Sequence, residues 1–185
     1  MGVVQQHGPG SPYTAILVEE LAALGAKRFL AVGIAGSLRP DLSPGSFVLC
    51  TRALRDEGTS YHYVAPGDFA YPSAPLTRRV RATLRRAKAP FTEGGSWTTD
   101  AAYRETVTEI RRYRARGLLT VEMEASALFT IARVRGLEAA ALFVISDVLD
   151  ERGWEPRFHD SRRPLRAALG IAAETLAGTR VRSAA

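Results

Sequence analysis

The sequence predicts an α/β fold, a three-layer sandwich with a mixed, largely parallel central sheet flanked by helices, in one domain over residues 1–185. Three observations predict it. Short apolar runs alternate with amphipathic stretches along the chain, which is the pattern of strands joined through helices. Glycine and proline clusters punctuate the joins. The 46% apolar and 24% charged composition over 185 residues suits a single sizeable core.

The elements follow in order. Residues 11–26 open on Ser11-Pro12 and repeat Ile16, Leu17, Leu21 and Leu24 at helical intervals before Gly25, a natural stop. Phe29–Val32 is a short apolar strand leading into a glycine turn, Gly33-Ile34-Ala35-Gly36. Pro40–Gly45 reads as a turn and Ser46–Thr51 as a buried strand. Residues 56–75 are polar, aromatic and proline-dotted, hence loop. Leu76–Ala87 is an amphipathic helix, Phe91–Thr98 a strand, and residues 101–116 a charged helix. Leu118–Glu122 is a strand, Ala125–Arg135 a helix, and Ala139–Ser146 the most apolar strand. A last helix starts after Pro164 and runs to about Ala177, with Gly178 beyond it.

Several function classes are excluded on composition. The net charge of +6 comes largely from arginines such as Arg78, Arg79, Arg81, Arg85, Arg86, Arg111, Arg112, Arg114 and Arg116, spaced as polar helix faces. They lack aromatic interleaving, so no nucleic-acid partner is expected. No apolar run approaches the ~20 residues of a membrane span, and the N-terminus lacks a signal-peptide pattern, so a cytoplasmic chain without a membrane partner is expected. The single cysteine, Cys50, reads as a small apolar strand residue in a reducing compartment.

The segment Thr120-Val121-Glu122-Met123-Glu124-Ala125-Ser126-Ala127-Leu128-Phe129 sets two carboxylates around one methionine ahead of small and apolar residues. Acids at such a strand-to-helix junction meet the positive end of the helix dipole. In an extended backbone Glu122 and Glu124 share one face and Met123 takes the other. Two acceptors on one face suit a vicinal diol such as a ribose; a capped core helix with two solvated acids fits the spacing equally well. Ligands in α/β folds collect at the carboxyl ends of strands. Three marked segments fall there: Gly33–Gly36, Glu122–Glu124 and Ser146-Asp147.

The string VEMEASALF at residues 121–129 resembles the signature of the nucleoside phosphorylase family, which contains purine nucleoside and uridine phosphorylases and several nucleosidases. Residues 31–63, 96–106 (SWTTDAAYRET) and 143–147 (FVISD) are similar to further blocks in the family's order, from about Gly8 to Leu176. The resemblance implies an enzyme that cleaves the N-glycosidic bond of a purine or uridine-type ribonucleoside through a ribosyl cation-like transition state. It implies no cofactor and no metal, with inorganic phosphate as co-substrate. Carried over residue by residue, it makes Glu122, Met123 and Glu124 the ribose site, with Glu124 accepting from the hydroxyls and Met123 against the sugar. Asp147 becomes the general acid to the base nitrogen, since apolar surroundings favour a neutral carboxylic acid; a cap on the following turn is its other reading. Tyr103, Arg104 and Ser146 are matched to the base pocket, while Trp97 is read as core packing. The run Arg104-Glu105-Thr106 lacks the glutamine with which the uridine branch reads its pyrimidine.

At the nucleophile the chain departs from the family. Ala31 and Ile34 stand where phosphorylases carry an arginine and a hydroxyl residue. That leaves Gly33 and Gly36 as a weak backbone nest for phosphate. The family's remaining phosphate ligands belong to an N-terminal glycine-rich loop ahead of the matched region, so an N-terminally truncated fold is expected. A water-using nucleosidase and a catalytically impaired nucleoside-binding remnant stay open as alternatives. Arg55–Ser60 and His62 match a loop near the active site and the subunit interface; His7 and His159 read as loop histidines. Family members are dimers or trimers of dimers, so a homo-oligomer is expected.

Overall fold

Seven strands and five helices alternate through the part of the chain that the computed structural model describes, Gly2 and residues 8–178. His7 lies outside the described residues. The order is α1 (Ser11–Ala23), β1 (Arg28–Ser37), β2 (Phe47–Asp56), β3 (Phe69–Ala70), α2 (Ala74–Arg86), β4 (Phe91–Thr99), α3 (Val107–Ala115), β5 (Leu118–Glu122), α4 (Ala125–Val134), β6 (Glu138–Asp150), β7 (Gly153–Pro156) and α5 (Phe158–Ala177). Single 3-10 turns occupy Thr59–His62 and Ala102–Arg104.

The sheet runs β3-β2-β4-β5-β1-β6-β7, and a further pairing joins β2 to β6. That pairing, Phe47–Leu49 against Leu142–Val144, closes β2, β4, β5, β1 and β6 into a five-stranded ring. Strands β2, β4 and β5 run parallel, as do β1 and β6; the two sets meet antiparallel at β1–β5 and β2–β6. The mixed sheet flanked by helices is as the sequence predicts. Its closure rests on long-range register, which local patterning does not carry.

Packing explains why residues 139–145 of β6 are apolar without a break. Ala139, Ala141, Phe143 and Ile145 join α1 and α4 residues such as Val18, Leu128 and Phe129 in one cluster. Ala140, Leu142 and Val144 point the other way, to Leu76, Val80 and Leu84 of α2 and Ala168 and Ile171 of α5. Successive side chains of a strand leave opposite faces, so a strand covered on both sides cannot alternate with polar residues. A third cluster seats α3 through Ile110 and Tyr113 on Trp97, Leu118 and Leu149.

Four boundaries differ from the sequence expectation. The predicted glycine turn is instead continuous strand: β1 runs to Ser37, with Gly33 opposite Phe143 and Ile34 opposite Val144 on β6. The charged helix begins at Val107 because Thr106 and Glu109 form a reciprocal capping box. Helix α5 starts at Phe158 and carries Pro164 inside it. Strand β7 extends a hairpin from β6 where Asp150 accepts from the Arg152 amide at 2.7 Å and Gly153 takes φ +138°.

Candidate active site

Strand β1 lies between β5 and β6, and the pairings Gly36–Val121 and Gly36–Asp147 fix what stands beside it. The end of β5, with Glu122–Glu124, flanks one edge of Gly33–Gly36. The Ser146-Asp147 step flanks the other. Antiparallel β1 and β5 bring their carboxyl ends across each other, so three segments far apart in sequence converge.

At Asp147 the sheet is irregular. Ala35 faces Ile145 and Gly36 faces Asp147, so Ser146 is an extra residue in β6, a bulge that redirects the side chains after it. Asp147 is only 7% exposed. Its Oδ1 accepts from the Ser146 hydroxyl at 2.5 Å and its Oδ2 from the Trp154 indole at 2.8 Å. Gly36 makes room for this carboxylate: a Cβ there would lie 2.9 Å from Asp147 Oδ2 and 2.4 Å from Leu149. The Ser146 hydroxyl also approaches the Ala35 carbonyl at 3.4 Å, so it holds the acid rather than facing an open pocket.

Glu122 departs from its expected place on the ribose face. It is 6% exposed and turned into the protein. Its Oε1 accepts from Ser96 at 3.1 Å and Thr98 at 2.6 Å; its Oε2 accepts from the amides of Glu124 at 2.9 Å and Ala125 at 2.7 Å. These amides are orphan donors at the head of α4, and a carboxylate there complements the helix dipole. The chain bends at Met123, so the alternating parity of an extended strand stops at Glu122. Burial, then the neighbouring charge of Glu124, pushes the Glu122 carboxyl up to about 7 against the pull of its donors.

Glu124 is the acid at the surface of this junction. It is half-buried, with Oε1 accepting from the Gly10 amide at 2.7 Å and Oε2 from the Met123 amide at 3.2 Å. Each oxygen keeps capacity for a further donor. Met123 is half-buried as well, and its carbonyl accepts from Ser11 Oγ at 2.8 Å, which ties the start of α1 to the site.

The remaining assignments fare unevenly. Tyr103 is fully exposed and Arg104 projects to solvent, so within this chain neither meets Asp147 or Glu124. Gly33 and Gly36 form no turn or nest, because both are paired in β1; a Cβ on Gly33 would meet open space, while Gly36 is buried. Trp97 is core, donating to Asp56 at 2.8 Å and packing on Tyr113. Cys50 is buried, and burial pushes its thiol well above the usual range. His159 is exposed beside Asp160. Glu57 accepts from Ser126 Oγ and the Ser60 amide, both at 2.8 Å, so it latches the loop after β2 to α4.

Two residues of the site escaped the sequence reading. Trp154 on β7 is 57% exposed, holds Asp147, and meets Phe158 edge-on at 6.0 Å. Its only sequence signal is the Asp150-Glu151-Arg152-Gly153 turn that aims it back. Glu105 is half-buried between the 3-10 turn and α3, on a segment tied to the β6–β7 turn by Arg111–Glu151 at 2.7 Å. Burial first, then the charge of Asp147, pushes its carboxyl up to about 7. No spacing rule marks Glu105, since its neighbour arises from tertiary folding alone.

The fold and this junction define an α/β protein with its candidate site where antiparallel strand ends cross. The model of the phosphorylase superfamily matches residues 2–177. The chain is 35% identical to a guanosine phosphorylase of Halorubrum lacusprofundi over 75% of this chain and 57% of that protein. It is 33% identical to a uridine phosphorylase of Treponema pallidum over 90% and 70% of the two chains, and 31% identical to a DeoD-type purine nucleoside phosphorylase of an Exiguobacterium species over 92% and 74%. A solved structure of the P. knowlesi homologue of P. falciparum PNP shares the fold at a TM-score of 0.77 and 24% identity, over 89% of this chain and 66% of that one. The chain belongs to the phosphorylase superfamily, and it spans between a little over half and about three quarters of these curated relatives.

Proposed function

We propose that this chain is a nucleoside phosphorylase-type pentosyltransferase acting on a purine or uridine-type ribonucleoside. The observation that carries the reading is the placement of Glu124 and the Asp147–Trp154 pair on the two sides of Gly33–Gly36, in a chain of this superfamily. Glu124 accepts hydrogen bonds from the ribose hydroxyls, with Met123 against the sugar, and its charge favours the cation developing at the anomeric carbon. The N-glycosidic bond breaks, its electrons pass to the base, and Asp147 supplies or holds the proton at the base nitrogen. An oxygen of inorganic phosphate forms the new bond to the anomeric carbon. Ser146 and Trp154 orient Asp147 for this step. The reading needs no metal or organic cofactor and places the protein in the cytoplasm as a homo-oligomer; among the described residues no helix is long and apolar enough to cross a membrane.

Ala31 and Ile34 on β1 favour a second reading, transfer to water, because neither offers a phosphate a charge or a side-chain donor. Release of free base from guanosine, inosine and uridine, measured with and without phosphate, decides between them. Phosphate-dependent release with formation of ribose 1-phosphate is expected. Release that is indifferent to phosphate sinks the phosphorolysis reading, and no release from any nucleoside sinks both.

A further inference from the structure

A second cavity, apart from the site above, opens between the loop after β2, strand β3 and the later turns of α4, and has a volume of about 290 Å³. Its wall includes Arg55, Phe69, Tyr71, Phe129, Thr130 and Arg133. Arg133 is nine residues beyond Glu124, about 13 Å along the helix.

Arg55 is the unusual group. It is 6% exposed, and every acceptor it reaches is neutral: Ser60 Oγ at 2.8 Å from Nε, and the carbonyls of Ala65 at 3.0 Å and Gly67 at 3.2 Å from Nη1. Tyr61 lies beneath the guanidinium at 4.3 Å, again without charge. Its Nη2 is buried with no hydrogen-bond partner. The Glu57 carboxylate accepts from Ser126 and the Ser60 amide and makes no ion pair with Arg55 among the described residues. Arg133, exposed at the rim, forms no ion pair among the described residues. A buried cation is ordinarily paired. Here two cations share one cavity wall with no carboxylate between them.

We infer that this cavity is an oxyanion site, in which Arg55 and Arg133 together hold a phosphate group, either inorganic phosphate or that of a phosphomonoester. The planar guanidinium fork matches a tetrahedral oxyanion, and the free Nη2 of Arg55 supplies a donor already desolvated. Thr130 adds a hydroxyl at the same wall, and Phe69, Tyr71 and Phe129 keep the surroundings apolar, which strengthens the pairing. This inference concerns a site separate from the proposed reaction and stands without it.

Thermal unfolding of the full chain in inorganic phosphate and in ribose 5-phosphate, at ionic strength matched with chloride, tests it. The expected result is a saturable rise in Tm for at least one of the two, with a half-saturating concentration about tenfold higher in Arg133→Gln. Arg133 is exposed, so this variant retains the fold. Arg55→Lys, which keeps the charge but loses the fork, should weaken the response similarly. Comparing the two ligands separates free phosphate from an ester. An equal response in wild type and Arg133→Gln overturns the inference, because phosphate then acts at the catalytic site or as an adventitious ion only. Absence of any anion-specific rise overturns it too.

Discussion

Replacing Glu122 with glutamine separates a structural carboxyl from a ribose ligand. In the folded chain burial and Glu124 push this carboxyl up to about 7, from an ordinary value of 4.5. Between those values the folded state keeps a proton that the unfolded state has released. The contribution of Glu122 to stability is therefore fully present below about pH 4.5 and is lost as the pH rises through 7. The gap between the two values corresponds to about 3 kcal/mol. Glutamine cannot titrate, so Glu122→Gln should lack that decline, sitting slightly below wild type at pH 5 and level with or above it at pH 8. Carboxyls elsewhere with shifts of their own, such as Glu93 and Asp150, which arginine partners hold low, remain in both proteins and cancel in the difference. Glu122→Ala strands the Ser96 and Thr98 hydroxyls and the amides of Glu124 and Ala125, at a cost of about 3–5 kcal/mol. Urea unfolding followed by circular dichroism at pH 5, 6, 7 and 8 measures all three proteins. Parallel pH curves for wild type and Glu122→Gln, or a fully stable Glu122→Ala with a raised KM, would refute the structural role.

Three further outcomes are expected. Trp154→Phe keeps the aromatic ring but loses the donor to Asp147, and should lower kcat about tenfold with KM little changed, while Trp154→Ala should raise KM as well; steady-state kinetics of base release distinguishes these. Glu105→Gln should erase an inflection near pH 7 from the profile of kcat/KM, since the group that burial and Asp147 push up to about 7 is then gone; an unchanged profile removes Glu105 from the site. Gly36→Ala forces a Cβ to 2.4 Å from Leu149 and 2.9 Å from Asp147 Oδ2, so a stability loss of about 1–3 kcal/mol and a collapse of activity are expected together in denaturation and rate measurements.

Secondary structure and superfamily were legible in the residues because they rest on local patterns. The apolar run of β6 and the strand-to-helix junction at Glu122–Ala125 carry their own pattern or dipole logic. The repeat read in α1, by contrast, did not mark its buried face, which is Ser11, Thr14, Ala15 and Val18, while Ile16 and Leu24 are exposed. The capping box Thr106–Glu109 was equally local, and reading it would have moved the start of α3 to where it stands. That the segments carrying Glu124, Met123 and Asp147 come together was legible, since they lie at the ends of strands where an α/β fold gathers ligands.

What the chain could not announce by itself was decided by contacts between distant segments. Whether Glu122 faces a sugar or the core depends on Ser96 and Thr98, 26 and 24 residues earlier on the preceding strand, and on a bend that ends the alternation assumed for it. Gly33 looks like a turn in sequence and is strand because β6 pairs with it. Trp154 reaches Asp147 only because the β6–β7 hairpin folds back, and Glu105 feels the charge of Asp147 only in the folded chain. Periodicity and propensity fix which face of an element is apolar, through interactions a few residues long. The surroundings of a particular carboxyl are set by register and burial, and those exist only once the strands have closed their ring.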